Sequence, residues 1–225
     1  MTYTRGMTRV LVKVVVAVAA LAGLGWLFVR SAENVRSEPY EIARSRLAGW
    51  TLALDPAPGS SGVLLGLQPD KTTAATLFSQ VFSRTGESLR GPVPASMPLV
   101  LETEFDRAHA GTLTPDALLA AARAAGLESP GFEPRCLAHR RISEPGLTRQ
   151  VYFVRFDWPA LAAFRVQAAE QMRAAGGNGI DPAALPPVMI VGATDAAFGR
   201  WLPLRVESAD DCLAPMAIMP ANVRP

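Results

Sequence analysis

Three carboxylates lie at alternate positions just before the middle of the chain, at Glu102, Glu104 and Asp106. The surrounding residues predict a strand over Leu99–Phe105, and alternate side chains of a strand point to the same face. Such a row can bind Ca²⁺ or form an acid/base pair, because neighbouring negative charges push their pKa values apart. The interpretation that we favour is a solvated acidic face balanced by arginines of a neighbouring strand.

Cysteine occurs at two positions, Cys136 and Cys212. If the domain is exported, as the N-terminal segment discussed below predicts, an even number of cysteines indicates a disulfide, and two buried free thiols are the alternative. Cys136 and His139 also form a C-x-x-H, and together with Cys212 and His109 they make enough ligands for one zinc ion. Reliable zinc sites have paired ligands at close spacing, which this chain lacks, so we predict no metal and no cofactor.

Motifs of well-known catalytic sites are missing from the sequence. It contains no G-x-S-x-G, S-x-x-K, H-E-x-x-H or Walker-type glycine loop. Ser60 and Ser61 lie in a glycine-flanked loop, and Lys71 stands at the predicted start of a helix, so a Ser/Lys pair is conceivable. A lysine in that position is usually solvated, and we predict no catalytic residue.

The charge of the chain divides by position. From residue 31 onward, 18 Lys and Arg stand against 20 Asp and Glu, whereas the four earlier positive charges have no acidic counterpart. A nucleic-acid partner requires a basic surface that neutralises phosphates, so this distribution argues against one. The hydrophobic content of 49% predicts a folded domain after the N-terminal segment.

An apolar run near the N-terminus predicts a membrane anchor. Residues 14–29 carry no charge, and extending the run back through Lys13 gives 20 residues, about 30 Å of helix, which matches the hydrocarbon thickness of a bilayer. We expect a cytoplasmic leader at 1–9 and a single-pass signal-anchor at 10–29 in a bacterial inner (plasma) membrane, followed by a periplasmic or extracellular domain. A signal peptide cleaved after Ala22 is the alternative.

The segment after the apolar run is polar and contains a Glu-Pro pair, which predicts a stalk over 30–48 and a domain over 49–225. The front of this domain is predicted as a β-β-α unit, with Asp70 capping the helix. A segment at 87–98, rich in Pro and Gly, is a candidate sub-boundary. The predicted elements of the front unit are Thr51–Leu54, Val63–Leu67 and Lys71–Arg84.

The elements over 99–193 follow the order β-α-β-β-α-β. Two of the strands, Arg135–Ile142 and Gln150–Phe156, are joined by a short loop and predict a hairpin. The helix between the first strand and this hairpin starts at Pro115, after the capping Thr114. This order predicts an α+β, ferredoxin-like fold, in which both helices cover one face of an antiparallel sheet.

The functional expectation combines the anchor with the missing catalytic motifs. We expect a non-catalytic interaction or adaptor protein of the cell envelope, which contacts the bilayer through 10–29 and an envelope protein through a sheet face or the hairpin. An envelope hydrolase that uses the carboxylate row is one alternative, and it requires a cleft beside those residues. A small-ligand sensor is another, and it requires a closed apolar cavity under Trp158 or Trp201.

Overall fold

The structure is a computed structural model that describes residues 3–56, 62–108, 113–129, 131–204 and 211–220. The chain divides into two compact units, Met1–Glu38 and Pro39–Pro225, and each is described here by itself. Three residues that the sequence singled out, Ser60, Ser61 and His109, lie outside the described residues.

The first unit contains one helix, α1, over Tyr3–Ser37. Within the described part of the chain, no helix has both the length and the apolar character needed to cross a bilayer. The predicted transmembrane anchor at 10–29, and the single-pass inner-membrane location derived from it, are therefore wrong. The charge-free run at 14–29 is 16 residues, about 24 Å of helix, and it reached the roughly 30 Å of a bilayer only when Lys13 was counted in.

The second unit is built from two sheets, four α-helices and two short 3-10 helices within the described residues. The larger sheet has five strands in the order β1-β8-β5-β6-β7, and the smaller has the antiparallel order β2-β3-β4. The strands are β1 Tyr40–Ala43, β2 Thr51–Leu54, β3 Val63–Gln68, β4 Met97–Leu101, β5 Glu133–Glu144, β6 Leu147–Asp157, β7 Val188–Ala193 and β8 Cys212–Met219. The helices are α2 Lys71–Thr85, α3 Glu102–Ala108, α4 Pro115–Ala124 and α5 Pro159–Ala174.

The α+β class is confirmed, but the ferredoxin-like arrangement is wrong. That fold requires the strand after residue 96 to share a sheet with the hairpin and with β7. Instead, β4 pairs with β3 in the smaller sheet, and the place beside β5 is taken by β8. Element order is a local property of the sequence, whereas these strand pairings join distant parts of the chain.

The larger sheet is covered on both faces, as its alternating buried side chains require. Leu137 and Val154 belong to the main core, and Ala138 and Phe153, next to them in the sequence, belong to a second apolar cluster on the other face. The main core includes a group of aromatic rings around Phe132. The centroid of the Phe132 ring lies 4.6 Å from that of Trp50, 5.5 Å from that of Phe156 and 5.4 Å from that of Trp158. These rings hold the base of the hairpin in place.

Helix α2 begins and ends as its sequence predicts. The Asp70 carboxylate accepts hydrogen bonds from the backbone N–H groups of Thr72 and Thr73, and Gly86 ends the helix in the left-handed conformation with φ +65°. Burial by itself would raise the pKa of Asp70, but hydrogen bonds from Thr72 and Thr73 outweigh it and lower the pKa to about 2. The charged form of Asp70 is therefore part of the native cap.

Candidate functional site

The predicted carboxylate row does not form one face, because the chain turns into helix at Glu102. Glu104 points inward with 13% of its side chain exposed, and Asp106 is exposed on α3. The strand that was predicted to run to Phe105 stops at Leu101. Helical spacing separates alternate side chains by about 200°, so the three carboxylates do not converge.

Glu104 is instead half of a buried ion pair with Arg165, a residue of α5 that is 0% exposed. The guanidinium donates to both Glu104 carboxylate oxygens, from Nη2 to Oε1 at 2.7 Å and from Nη1 to Oε2 at 3.2 Å. It also donates to the carbonyl oxygens of Leu99, Asp181 and Pro182. All five N–H groups of the guanidinium are thus used, and the pair ties α5 to β4 and α3.

The sequence reasoning missed Arg165, although the pattern contained a signal. The buried residues of α5 recur at helical spacing, and Arg165 falls among them, between Phe164 and Ala168. A charged residue inside an apolar stripe indicates a buried partner, since an unpaired charge there is strongly unfavourable. The pattern does not show which residue is the partner of Arg165.

A polar cleft of about 420 Å³ lies beside Glu104 and is also lined by Arg107, Asn178 and Asp181. This is the place where a carboxylate-based hydrolase would have its site. Both Glu104 oxygens, however, already accept hydrogen bonds from Arg165, so this carboxylate is committed to a structural contact. Within the described residues, no group of three or more His, Cys, Asp or Glu side chains is placed to hold a metal ion.

Cys136 and Cys212 form a disulfide that ties β5 to β8, so this prediction is confirmed. Both sulfur atoms are used in that bond, which removes the thiolates from the C-x-x-H candidate. His139 Nε2 lies 2.9 Å from Gln150 Oε1, and its ring stacks on Tyr152 with centroids 4.6 Å apart. Lys71 is exposed at the first position of α2.

The β5–β6 hairpin extends well past the rest of the larger sheet. The two strands pair from Glu133 and Asp157 to Glu144 and Leu147, but β8 pairs with β5 only as far as Ala138. On the other side, β7 pairs with β6 only from Val151. We call residues 139–150 the arm. It is a two-stranded ribbon that continues beyond its neighbours in the described part of the sheet.

The arm carries exposed apolar and positively charged side chains. Residues 141–148 are all exposed, and they include Ile142 and Leu147, the latter with 53% of its surface accessible. Ile142 pairs with Arg149 and Leu147 pairs with Glu144, so the two apolar side chains lie diagonally on one face of the ribbon. Arg149 Nη2 donates to Glu144 Oε1 at 2.5 Å across the same face.

A second concave feature, which we call the proline cleft, lies between the two sheets and has a volume of about 220 Å³. Its rim includes Val93, which is 90% exposed. Phe198, which begins the short 3-10 turn Phe198–Trp201, and Leu202, which follows it, also line the cleft. The lining residues are Val63, Pro92, Val93, Pro94, Ser96, Pro98, Ile190, Ala196, Phe198 and Leu202.

The segment 194–202 connects the proline cleft to the arm. Ala196, Phe198 and Leu202 line the proline cleft, whereas other residues of the same segment line a polar cleft of about 360 Å³ beside the arm. Trp201 lies in this segment, is buried, and its Nε1 donates to Asp195 Oδ1 at 3.3 Å. The polar cleft is lined by Glu144, Leu147, Thr148, Arg149, Thr194, Asp195, Ala197 and Arg200.

No protein family, no curated protein and no solved structure matches this chain. Its function is therefore inferred from the geometry of the arm and the clefts.

Proposed function

We propose that this chain is a non-catalytic interaction protein that contacts another protein through the arm. The observation that carries the proposal is the length of the β5–β6 ribbon beyond its neighbours, with Ile142 and Leu147 exposed on one face. Exposed aliphatic side chains on a projecting ribbon are unfavourable in water, and a partner surface that buries them gains roughly 25 cal/mol per Å² of apolar area.

A two-stranded ribbon is also suited to binding through its backbone. The outer edges of such a ribbon present N–H and C=O groups to which an extended segment of a partner can add as a further strand. The arm contains Arg140, Arg141 and Arg149 against one acidic residue, Glu144, and the pairing of Arg140 with Asp211 at 3.6 Å leaves this surface with a formal net charge of +1. We therefore expect the partner segment to be extended and acidic.

The alternatives to an interaction protein are less well supported. A hydrolase would need a cleft beside the carboxylates, and one does lie beside Glu104, but this carboxylate is paired to Arg165 through both oxygens. The two cysteines are joined to each other and supply no nucleophile.

The test compares two glutamate substitutions of exposed aliphatic residues. Leu147→Glu places a like-signed charge beside Glu144 and against an acidic partner, whereas Val166→Glu changes a residue of similar exposure, 47%, on α5. The chain is followed by sedimentation in gently prepared extracts of its native cells. We expect wild type and Val166→Glu to sediment in a complex and Leu147→Glu to sediment as the purified chain does.

Two results would contradict the proposal. One is wild-type chain that sediments in extracts as it does when purified. The other is a complex that Leu147→Glu leaves intact. Circular dichroism of the purified variants checks that both substitutions preserve the fold.

A further inference from the structure

The proline cleft is an apolar pocket whose lining includes three prolines. Pro92, Pro94 and Pro98 line it, and proline has a locked φ and no backbone N–H group. These prolines therefore restrict the backbone conformations that this part of the lining can adopt. The lining also offers few donors to a ligand, so binding there depends on contact with apolar groups.

Among the residues that the structure describes, the lining of the cleft includes no charged side chain, and Ser96 contributes its one hydroxyl. A charged ligand would lose its hydration there without a compensating ion pair, which is unfavourable. Within the described residues, the Ser96 hydroxyl makes no hydrogen bond to another group. It is thus available to donate or accept one hydrogen bond from a ligand.

The size of the cleft limits the ligand to about one ring. An apolar protein cavity of roughly 150 Å³ is large enough to bind benzene. The proline cleft, at about 220 Å³, has room for a ring with a small substituent. We infer that the proline cleft binds a small neutral ring compound that carries one hydroxyl or carbonyl group hydrogen-bonded to Ser96.

A free small molecule fits this cleft better than an aromatic side chain of a partner protein. A peptide brings backbone N–H and C=O groups to the rim, and these groups need hydrogen-bond partners when they are buried. Pro92 and Pro94, on either side of the exposed Val93, have no N–H group to offer. A small molecule does not carry this requirement.

Binding of phenol to the full chain, measured by isothermal titration, tests the inference, with benzoate as the charged analogue and benzene as the apolar one. Ala196→Leu adds three carbons to the lining of the cleft, and Ala163→Leu makes the same change on the exposed face of α5. We expect saturable phenol binding that Ala196→Leu abolishes and Ala163→Leu preserves. We expect benzoate to bind at least tenfold more weakly than phenol.

The hydrogen bond is tested by Ser96→Ala, with Ser83→Ala on α2 as the control. One ordinary hydrogen bond contributes about 1 kcal/mol, so Ser96→Ala should weaken phenol binding about fivefold and leave benzene binding unchanged. Equal affinity for phenol and benzoate, or phenol binding that survives Ala196→Leu, would overturn the inference. So would tighter binding of N-acetyl-tyrosine amide than of phenol, because it would identify a peptide side chain as the occupant.

Discussion

Removing the Glu104 carboxylate should be one of the most destabilising single changes in the second unit. Glu104→Ala leaves the Arg165 guanidinium buried, with its bonds to the Leu99, Asp181 and Pro182 carbonyls but without a counter-charge. The side chain of Arg165 is only 1% exposed in its native position. Breaking a buried pair by removing one partner costs about 3–5 kcal/mol.

For a unit of this size, each kcal/mol lowers the melting temperature by roughly 2–4 °C, so the expected decrease is on the order of 10 °C. Thermal and urea unfolding, followed by far-UV circular dichroism, measure it. Asp106→Ala provides the control, because it removes an exposed carboxylate from the same helix and should change stability by less than about 0.5 kcal/mol.

The double variant distinguishes loss of the pair from loss of packing. When Arg165→Met is added to Glu104→Ala, no charge remains buried, and the double variant should be more stable than Glu104→Ala alone. A Glu104→Ala variant that loses less than about 1 kcal/mol would refute this reasoning. Strict additivity of the two single changes would also refute it.

Three further changes test separate parts of the fold. Asp70→Ala should cost about 1 kcal/mol at neutral pH. Because the folded pKa of Asp70 is lowered to about 2, the stability that its charge supplies is present above the usual pKa near 4 and is lost as the pH falls toward 2, so the difference from wild type should shrink over that range in urea titrations. Reduction of the Cys136–Cys212 bond, which spans 76 positions, should lower stability by up to about 4 kcal/mol in the chain-entropy picture, measured by unfolding with and without reductant. Gly177→Ala places a Cβ 1.9 Å from the backbone oxygen of Ala108 and should lower the melting temperature, whereas an unchanged value would contradict the close approach.

Local signals in the sequence predicted most elements of the second unit. The strand Thr51–Leu54 and the start of α2 at Lys71 lie where the capping and alternation patterns place them. The hairpin was predicted from two strand patterns joined by a turn, and the structure extends both strands to the Pro-Gly turn at 145–146. These features depend on residues close together in the chain, which is why sequence patterns report them.

The elements that were missed depend on distant contacts or on ambiguous local signals. β8 contains Pro215, which weakens its strand pattern, and it is held between β5 and the parallel strand β1. Strand β1 has only four residues, and it lies in the segment that was predicted as a stalk. At Glu102 the chain changes from strand to helix, although the polar–apolar alternation of the sequence continues for several residues. In this helix Glu104 pairs with Arg165 of α5, a distant contact that the alternation does not report.

The proline cleft also lies outside what the sequence pattern predicts. The proline cleft joins residues from β3, β4, β7 and the segment 194–202, and no spacing rule brings these together. Under the small-ligand sensor alternative, the sequence analysis expected an apolar cavity near Trp158 or Trp201. The cleft does share its wall with the turn that contains Trp201, but the proline segment at 92–98 was predicted only as a boundary.

Site-specific photo-crosslinking from the arm tests the central proposal most directly. A photoreactive residue replaces Leu147 in one sample and Val166 in another, and the chain is irradiated in its native cells at its normal level. We predict one discrete adduct with a different protein from position 147 and none from position 166. No adduct from position 147, or the same set of adducts from both positions, would contradict the arm as the contact surface.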